Sequence, residues 1–298
     1  MRRLSVLLAL FLAACGSSST GPEGPPQGNG NSLTATIDGA AFAASPLTIT
    51  SASNTSQLKG TLIFSGSTMT QPSRALLMHL GRIAGPGTYP LGVNTGTNAG
   101  GTLSLVEGSV SWWTPLMGDE GTVTITSMTG GRVRGTFTAT LKPLAGGTGT
   151  IEITNGAFNV PINPGYNAPA ADDLGSVVSG TVGGQEYHGA TVQGFADGGT
   201  IIIAVSTDEY LISINMSPAE VGTLPLSGTL PLRSVSVVRS AAFGAGSWGN
   251  LPGATGTVSI ASISATRIVG SVDVSLPAAG GGGGAISVDL DFNVRTAQ

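Results

Sequence analysis

Apolar and polar residues alternate along most of the chain after residue 33. Near the C-terminus, Val272, Val274 and Leu276 are separated by single polar residues, and this period of two recurs in many short segments. The period is typical of a β-strand with one buried face. Largely apolar runs at 76–80 and 201–205 predict central strands, and no segment has the period of an amphipathic helix. The chain is therefore predicted to be all-β.

The same pattern occurs twice, mostly at a spacing of 135 residues. The matched segments are GTYPL at 87–91 with GTLPL at 222–226, GTVTI at 121–125 with GTVSI at 256–260, Trp113 with Trp248, and, with small shifts in spacing, 36–42 with 181–187 and 158–160 with 292–294. Two copies are too few for a solenoid, so each copy must bury its own core.

Each copy is predicted to fold as an antiparallel β-sandwich or flattened barrel, because many short strands follow one another at regular intervals. We place module 1 at residues 33–162 and module 2 at residues 176–298. A polar, proline-containing linker at 163–175 separates them. A domain of this size buries about two-thirds of its surface, which suffices for a stable core.

The N-terminus has the pattern of an export signal. Arg2 and Arg3 precede an apolar run at 4–14, which is too short for the ~20 residues that span a bilayer. The run ends in LAAC at 12–15, which resembles the lipobox of bacterial lipoproteins. The resemblance implies a signal peptide at 1–14, cleavage before Cys15 and attachment of lipid to the Cys15 thiol. An ordinary secretory signal with an incidental cysteine is the alternative.

Residues 15–32 comprise this cysteine and a polar segment rich in Gly, Pro and Ser, which predicts a flexible tether. Several acyl chains on one cysteine suffice for stable membrane attachment. Gly16 stands where an Asp retains such lipoproteins in the inner membrane of bacteria with two membranes. The resemblance therefore favours the outer membrane, facing either the periplasm or the exterior.

Three motifs of module 1 are ATIDGAAF at 35–42, GTVTITS at 121–127 and GTFTATL at 135–141. They resemble a β-rich domain of unknown function carried by envelope lipoproteins of environmental bacteria. In module 2, Gly183, Tyr187 and Val272 replace the Asp and the two Phe residues of the pattern. The resemblance implies a β module in the cell envelope, and it brings no catalytic residues.

Charge and cysteine content exclude several functions. The net charge is −4, with 12 Lys and Arg residues and no basic cluster, whereas nucleic-acid binding requires clustered cations. Cys15 is the single cysteine, so we expect neither an intrachain disulfide nor a cysteine metal site. His79 and His188 are the two histidines, and each is expected to be a structural residue. No metal or other cofactor is predicted.

Catalytic motifs are weak. GAGSWG at 244–249 fits the dinucleotide pattern, but the NLPG that follows does not form the required helix. The same stretch loosely resembles a nucleophile elbow, which needs a histidine partner. His79 and His188 lie in different modules, so a triad would have to form between them. We expect no enzyme, and an exported hydrolase is the least favoured alternative because it requires carboxylates or a histidine sharing a cleft.

Acidic residues occur in pairs. Asp289 and Asp291 should share one strand face with Asn293, because alternate residues of a strand point the same way. Such oxygen atoms can bind calcium, and the alternative is a solvated face that discourages aggregation. The other pairs are Asp119 with Glu120, Asp172 with Asp173, and Asp208 with Glu209.

The aligned Trp113 and Trp248 predict a shared structural role. Trp112 would then point to the opposite face and be exposed, where an indole can stack on a sugar or anchor a protein. A loop tryptophan that covers the module edge is the alternative. We expect a non-enzymatic binding or adhesion module for a carbohydrate or envelope protein, with Trp112 as contact. A structural or assembly accessory of the outer membrane is the second hypothesis.

Overall fold

A computed structural model of the chain describes residues 30–53, 59–118, 120–170, 174–226, 233–281 and 283–297. The predicted signal peptide, Cys15 and residues 16–29 of the tether lie outside the described residues. Within the described part, the helical segments are two 3-10 turns, Pro46–Thr48 and Ala241–Phe243. None of the helices described is long and apolar enough to cross a membrane.

The strands form two sheets, one in each half of the chain. The first sheet contains β1 (Ser32–Ile37), β2 (Ala40–Ala43), β3 (Leu62–Ser67), β4 (Arg74–Gly81), β5 (Gly87–Pro90), β6 (Gly100–Glu107), β7 (Val110–Trp113), β8 (Gly121–Thr129), β9 (Arg132–Ala145) and β10 (Ile151–Pro161). The second contains β11 (Val177–Val182), β12 (Gln185–His188), β13 (Thr191–Asp197), β14 (Thr200–Ser206), β15 (Tyr210–Met216), β16 (Gly222–Pro225), β17 (Arg233–Arg239), β18 (Gly246–Trp248), β19 (Thr255–Ile263), β20 (Arg267–Leu276), β21 (Ala278–Gly280) and β22 (Ile286–Ala297).

Each sheet folds over on itself into two layers. In module 1, the long strand β9 pairs with β8 and β10 along its first part and with β7 near its end. One layer is therefore β5-β8-β9-β10-β1-β2, and the other is β7-β6-β4-β3. Module 2 repeats this arrangement with an added strand, β13, which pairs in parallel with the end of β22. The predicted all-β, sandwich-like architecture is confirmed.

Alternation along the strands produces the cores. In β1, for example, Leu33, Ala35 and Ile37 are buried, whereas the residues between them are partly exposed. One buried apolar cluster draws its residues from 33–160 and a second from 178–294. In the first cluster the rings of Phe64 and Phe158 lie 4.9 Å apart. The chain thus has two separate cores, as expected of a tandem repeat.

The repeat holds in the strand register. Gly87 faces Ile125 between β5 and β8, and Gly222 faces Ile260 between β16 and β19. A β-bulge follows Ile125 and another follows Ile260. Gly121 is required because its φ is +140° and an added Cβ would lie 2.1 Å from the carbonyl oxygen of Thr138.

One motif difference between the copies is explained by packing. In module 1, Phe137 pairs with Gly156, and a Cβ on Gly156 would lie 2.5 Å from the Phe137 carbonyl oxygen and 2.6 Å from its ring. In module 2, Val272 pairs with Leu290 at the same place. The larger side chain of the pair is thus on β9 in module 1 and on β22 in module 2, and the bulge that precedes Gly156 in β10 has no counterpart in the β20–β22 ladder.

The register overturns the alignment of the tryptophans. Trp112 pairs with Pro143 and faces Leu105, whereas Trp248 pairs with Ala278 and faces Val237. Trp112, not Trp113, is therefore the counterpart of Trp248. The prediction of an exposed Trp112 is wrong, because its side chain is 8 % exposed and belongs to the core of module 1. We do not propose Trp112 as a ligand contact.

Arginines anchor the beginning of each module. Arg132 Nε donates to Asn159 Oδ1 at 2.6 Å, and its Nη2 donates to the carbonyl oxygen of Gly30. Arg267 Nε donates to Asn293 Oδ1 at 2.7 Å, and its guanidinium reaches the carbonyl oxygen of Gly175. In both copies an arginine of the penultimate long strand thus ties the incoming chain to the last strand.

Candidate functional site

The two modules pack directly against each other. Asn98 Nδ2 donates to the carbonyl oxygen of Gly189 at 2.8 Å, and the backbone amide of Asn94 donates to Ala190 at 2.8 Å. Beside this contact, the backbone amide of Asp208 donates to the carbonyl oxygen of Leu116 at 3.1 Å. Two loops of module 1 therefore hold the beginning of module 2 in place.

Gly118 allows a close approach of the two modules in this junction. Its φ is +91°, and a Cβ at this position would lie 2.2 Å from the carbonyl oxygen of His188. Any side chain here would push the modules apart at the point where β12 ends. The glycine therefore places Met117 of module 1 over the edge of module 2.

A pocket of about 480 Å³ lies at this edge. Met117 lines it from module 1, and the lining from module 2 includes Tyr187, His188, Glu209, Tyr210 and Arg239. We call it the Tyr187 pocket. Strands β12, β15 and β17 bring these side chains together from separate parts of the sequence.

Tyr187 is a buried residue with an unsatisfied hydroxyl. Its side chain is 4 % exposed, and among the described residues its Oη has no hydrogen-bond partner. Burial raises the pKa of Tyr187, so the hydroxyl is neutral and can donate and accept. Its ring meets Tyr210 edge to face, with centroids 6.4 Å apart. A buried polar group without a partner is costly. Ser32 Oγ, Trp112 Nε1 and Arg134 Nε are in the same state elsewhere in the described residues.

Tyr210 forms a second wall. The guanidinium of Arg239 lies 5.6 Å from the ring centroid, and its Nη2 is 2.7 Å from Glu209 Oε1. Burial raises the pKa of Tyr210, Glu209 acts in the same direction, and Arg239 opposes both. The cation therefore bridges an aromatic face and a carboxylate, which fixes all three side chains at the rim.

His188 and Glu186 complete the polar rim, with Nε2 and Oε1 3.0 Å apart. The structure thus brings Glu186, His188 and Glu209 to one pocket. This is the arrangement that the hydrolase alternative requires, and sequence analysis did not anticipate it. His79 lies elsewhere, on the outer face of β4, with Nε2 3.5 Å from Thr95 Oγ1.

The residues of the pocket differ from their counterparts in module 1. By register, Phe42 of β2 corresponds to Tyr187, and the cross-strand pair Arg74–Glu107 corresponds to Tyr210–Arg239. In module 1 this pair forms an ion pair of 2.9 Å. In module 2, therefore, Tyr187 replaces a phenylalanine, Tyr210 replaces the arginine of the ion pair, and the cation is on the facing strand as Arg239.

A second groove, of about 510 Å³, also lies between the modules. Arg82 and Thr97 of module 1 line it together with Phe195 and Ile202 of module 2, and we call it the Phe195 groove. Phe195 is 46 % exposed. Arg82 Nη2 already donates to the carbonyl oxygen of Gly96 at 2.7 Å. The groove therefore offers an apolar surface, whereas the Tyr187 pocket is lined mostly by polar side chains.

The other predicted site residues do not assemble. Asp289 and Asp291 are exposed on one face of β22 with Asn293, as predicted, and Asp289 faces Asp273 across the ladder. Within the described ranges, no group of three or more metal-ligating residues is close enough to hold an ion, so the calcium alternative has no support there. Asp119, Asp172 and Asp173 lie outside the described residues. Residues 246–248 of the glycine-rich motif form a short strand, not a helix start.

No protein-family model matches the chain, and no curated protein matches it either. The resemblance of module 1 to an envelope-lipoprotein domain therefore stays an expectation. Sequence reasoning missed the Tyr187 pocket, although one signal was visible. It noted that Tyr187 replaces the phenylalanine of module 1, but it could not place that hydroxyl beside residues 207–210 and 239.

Proposed function

We propose that the protein is a lipid-anchored, non-enzymatic binding protein of the bacterial cell envelope, and that its ligand occupies the Tyr187 pocket. One observation carries the choice of site, namely the polar pocket of about 480 Å³ at the junction, in which Met117 of module 1 meets Tyr210 and Arg239 of module 2. Concave sites of this size that combine an aromatic ring with a few polar groups are typical of ligand binding. The junction fixes the pocket from both sides, which reduces the ordering cost of binding.

Binding is favoured over hydrolysis by the state of the two carboxylates. Glu209 accepts from Arg239 Nε at 2.8 Å and is also close to its Nη2, so its charge is engaged. The Glu186 side chain is 78 % exposed, so it is not held in the dry environment that prepares a general acid. The expected result is that glycans incubated with the protein are recovered uncleaved, and mass spectrometry of the products checks it.

The site is tested by filling it. Met117 lines the pocket, so Met117→Trp should block it, whereas Met69→Trp adds the same indole at a position that is 73 % exposed. We would apply the full chain, purified in mild detergent, to a glycan array that includes envelope polysaccharides, and to immobilised envelope proteins. Loss of binding in Met117→Trp alone supports the site. Equal binding by both variants and the wild type would contradict it.

The envelope anchor is supported by the charged, apolar and LAAC segments at residues 2–15. We expect Cys15→Ser to move the protein from the membrane fraction to the soluble fraction. Mass spectrometry of the N-terminal peptide should find Cys15 as the first residue, carrying a diacylglycerol adduct. An unmodified Cys15 in a membrane-associated protein would refute lipid attachment.

An assembly accessory that recognises a fixed envelope protein is the second candidate, and the Phe195 groove favours it. Phe195 and Ile202 are adjacent across β13 and β14 and are 46 % and 38 % exposed. Exposed apolar side chains in a groove are typical of protein contacts. A photo-crosslinking residue at Phe195 should capture one defined partner in native membranes, and a featureless adduct pattern would count against this role.

A further inference from the structure

We infer that the end of module 1 at which the predicted tether enters rests on the bilayer that holds the lipid anchor, with exposed apolar side chains in the headgroup layer. The inference rests on the anchor of the proposed function and goes beyond it, because it assigns a lipid surface as the partner of a folded surface. It draws on where the exposed apolar residues of module 1 lie, on where the chain enters, and on the same end of module 2.

The exposed apolar residues of module 1 gather at one end of a layer. A row of paired residues crosses from β9 through β7, β6 and β4 to β3, in the order Pro143, Trp112, Leu105, Leu76 and Gly66. Just beyond this row, and all on the same side of it, are three residues that are 73 %, 41 % and 58 % exposed, namely Met69, Val106 and Leu144. These residues therefore share one end of the layer.

Leu47 belongs to the same end. Its side chain is 93 % exposed, and the Oγ1 of the next residue, Thr48, donates to the carbonyl oxygen of Ser67 at 2.6 Å, two residues before Met69. We call the surface formed by Leu47, Met69, Val106 and Leu144 the Leu47 end. With Leu77 on the outer face of β4, these are all the exposed large apolar residues described in module 1.

The segments that build the Leu47 end carry no charge. Asp, Glu, Lys and Arg are absent from the sequence at 39–53, 60–73, 108–113 and 143–149. Arg74 and Glu107, which flank these segments, form an ion pair of 2.9 Å with each other. Apolar side chains in such surroundings can enter the headgroup layer without stripping water from an unpaired charge.

The chain enters module 1 beside the Leu47 end. The carbonyl oxygen of Leu33, the second residue of β1, accepts from the Ala44 amide at 2.9 Å, and a Cβ on Gly66 would lie 3.1 Å from the Leu33 side chain. A Gly- and Ser-rich chain as long as that from Cys15 to Gly30 spans about 20 Å. Strand β4 runs for about 25 Å from this end to the junction with module 2. A lipid on Cys15 therefore brings the Leu47 end, rather than the junction, to the membrane.

Module 2 shows that this end of the fold can serve as a docking surface. Ala190 corresponds to Ser45, because their amides donate to the carbonyl oxygens of the last residues of β14 and β3, respectively. In module 2 this end is covered, since the Ala190 carbonyl accepts from the amide of Asn94 of module 1 at 2.8 Å. A second copy stacked head to tail on module 1 is the alternative cover, and such a contact would continue into a fibre. The bilayer is favoured because the anchor already holds this end beside it.

The experiment places a reporter at the Leu47 end of the full lipidated chain. Cys15 is the single cysteine and its thiol carries the lipid, so an environment-sensitive fluorophore reacts only with a cysteine introduced by Met69→Cys. The control is Val221→Cys with the same fluorophore, at a position of module 2 that is 63 % exposed. Both proteins are reconstituted into phosphatidylcholine vesicles at low copy number, and quenching by lipids with nitroxide-labelled acyl chains is measured.

The expected result is strong quenching of the label at position 69 and little quenching of the label at position 221. Leu47→Asp, added to Met69→Cys, should lower the ratio of docked to undocked protein about 10-fold, because it removes one apolar side chain from the headgroup layer. Val221→Asp is the matched substitution at another exposed apolar position, and it should leave the signal from position 69 unchanged.

Three results would overturn the inference. Equally low quenching of both labels on vesicle-bound protein would refute docking while leaving the anchor standing. A label at position 69 that is shielded only when copies are concentrated, and that lipid nitroxides do not quench, would assign the Leu47 end to a second copy. If the protein does not sediment with the vesicles and the fluorophore also reacts with Cys15, the lipid anchor of the proposed function fails, and the inference fails with it.

Discussion

Removing the hydroxyl of Tyr187 should stabilise the free protein, although substitutions in a buried core usually destabilise. The hydroxyl is buried, and no described residue offers it a hydrogen bond. A buried polar group in this state costs about 1–3 kcal/mol relative to solvent. Tyr187→Phe eliminates that cost while retaining the ring and its edge-to-face contact with Tyr210.

The destabilisation caused by the void that the lost oxygen leaves is small. Loss of one oxygen leaves a void of roughly 10–15 Å³, which at about 24 cal/mol per Å³ costs roughly 0.3 kcal/mol. The net expectation for Tyr187→Phe is a gain of about 1–2.5 kcal/mol in the free energy of unfolding. In Tyr89→Phe the lost hydroxyl had a partner at 2.9 Å, so we expect a loss of about 0.5–1.5 kcal/mol.

The assay is urea unfolding of the full chain in detergent, followed by fluorescence of its three tryptophans. None of the tryptophans is changed, so the two variants and the wild type can be compared at equal signal. The free energy of unfolding should be higher than that of the wild type for Tyr187→Phe and lower for Tyr89→Phe. Destabilisation of Tyr187→Phe equal to that of Tyr89→Phe would refute the claim that Tyr187 Oη is unsatisfied.

Three further outcomes follow from the structure. Trp112→Ala should lower the free energy of unfolding by about 3–5 kcal/mol, and Trp113→Ala by much less, because Trp112 is the residue in the core. Equal losses in the two variants would contradict the register given for β7. Burial lowers the pKa of His79, so the unfolded chain binds a proton first as the pH falls, and stability should decline below about pH 6.5. His79→Asn, which restores the module 2 residue, should flatten this part of the pH–stability curve, and an unchanged slope would exclude His79 as its cause. Phe137→Val and Gly156→Leu should each destabilise module 1 by more than about 1 kcal/mol, and the double variant should not recover the loss, because a Cβ at position 156 would lie 2.5 Å from the Phe137 carbonyl oxygen whatever side chain stands at 137. A double-mutant cycle measures this, and full recovery would show that the ring alone requires the glycine.

Much of the fold was accessible from the sequence because it rests on local periodicity. Alternating residues such as Leu33, Ala35 and Ile37 predict a strand whatever it pairs with, and two copies of the pattern predict two cores. The assignment of Trp113 to Trp248 failed for a physical reason. Connections on both sides of β7 and β18 differ in length, so a constant spacing of 135 residues assigned the wrong partner.

The site was less accessible because it depends on long-range placement. Tyr187, Tyr210 and Arg239 are on three strands and acquire their roles only when β12, β15 and β17 meet at the junction. Whether a hydroxyl has a partner is also a property of the folded protein, since tyrosine and phenylalanine fit the same strand pattern. The contact of Gly118 with His188 likewise could not be inferred from either module alone.

The pairing of first and last strands has a consequence for how the protein matures. β1 pairs with β10, and β11 pairs with β22, so neither sandwich can close until its final strand has been made. Contacts between residues so far apart in sequence slow the folding of a domain. Module 1, however, holds all its strands before module 2 begins, so it can complete its core first and present the loops against which the second module then assembles.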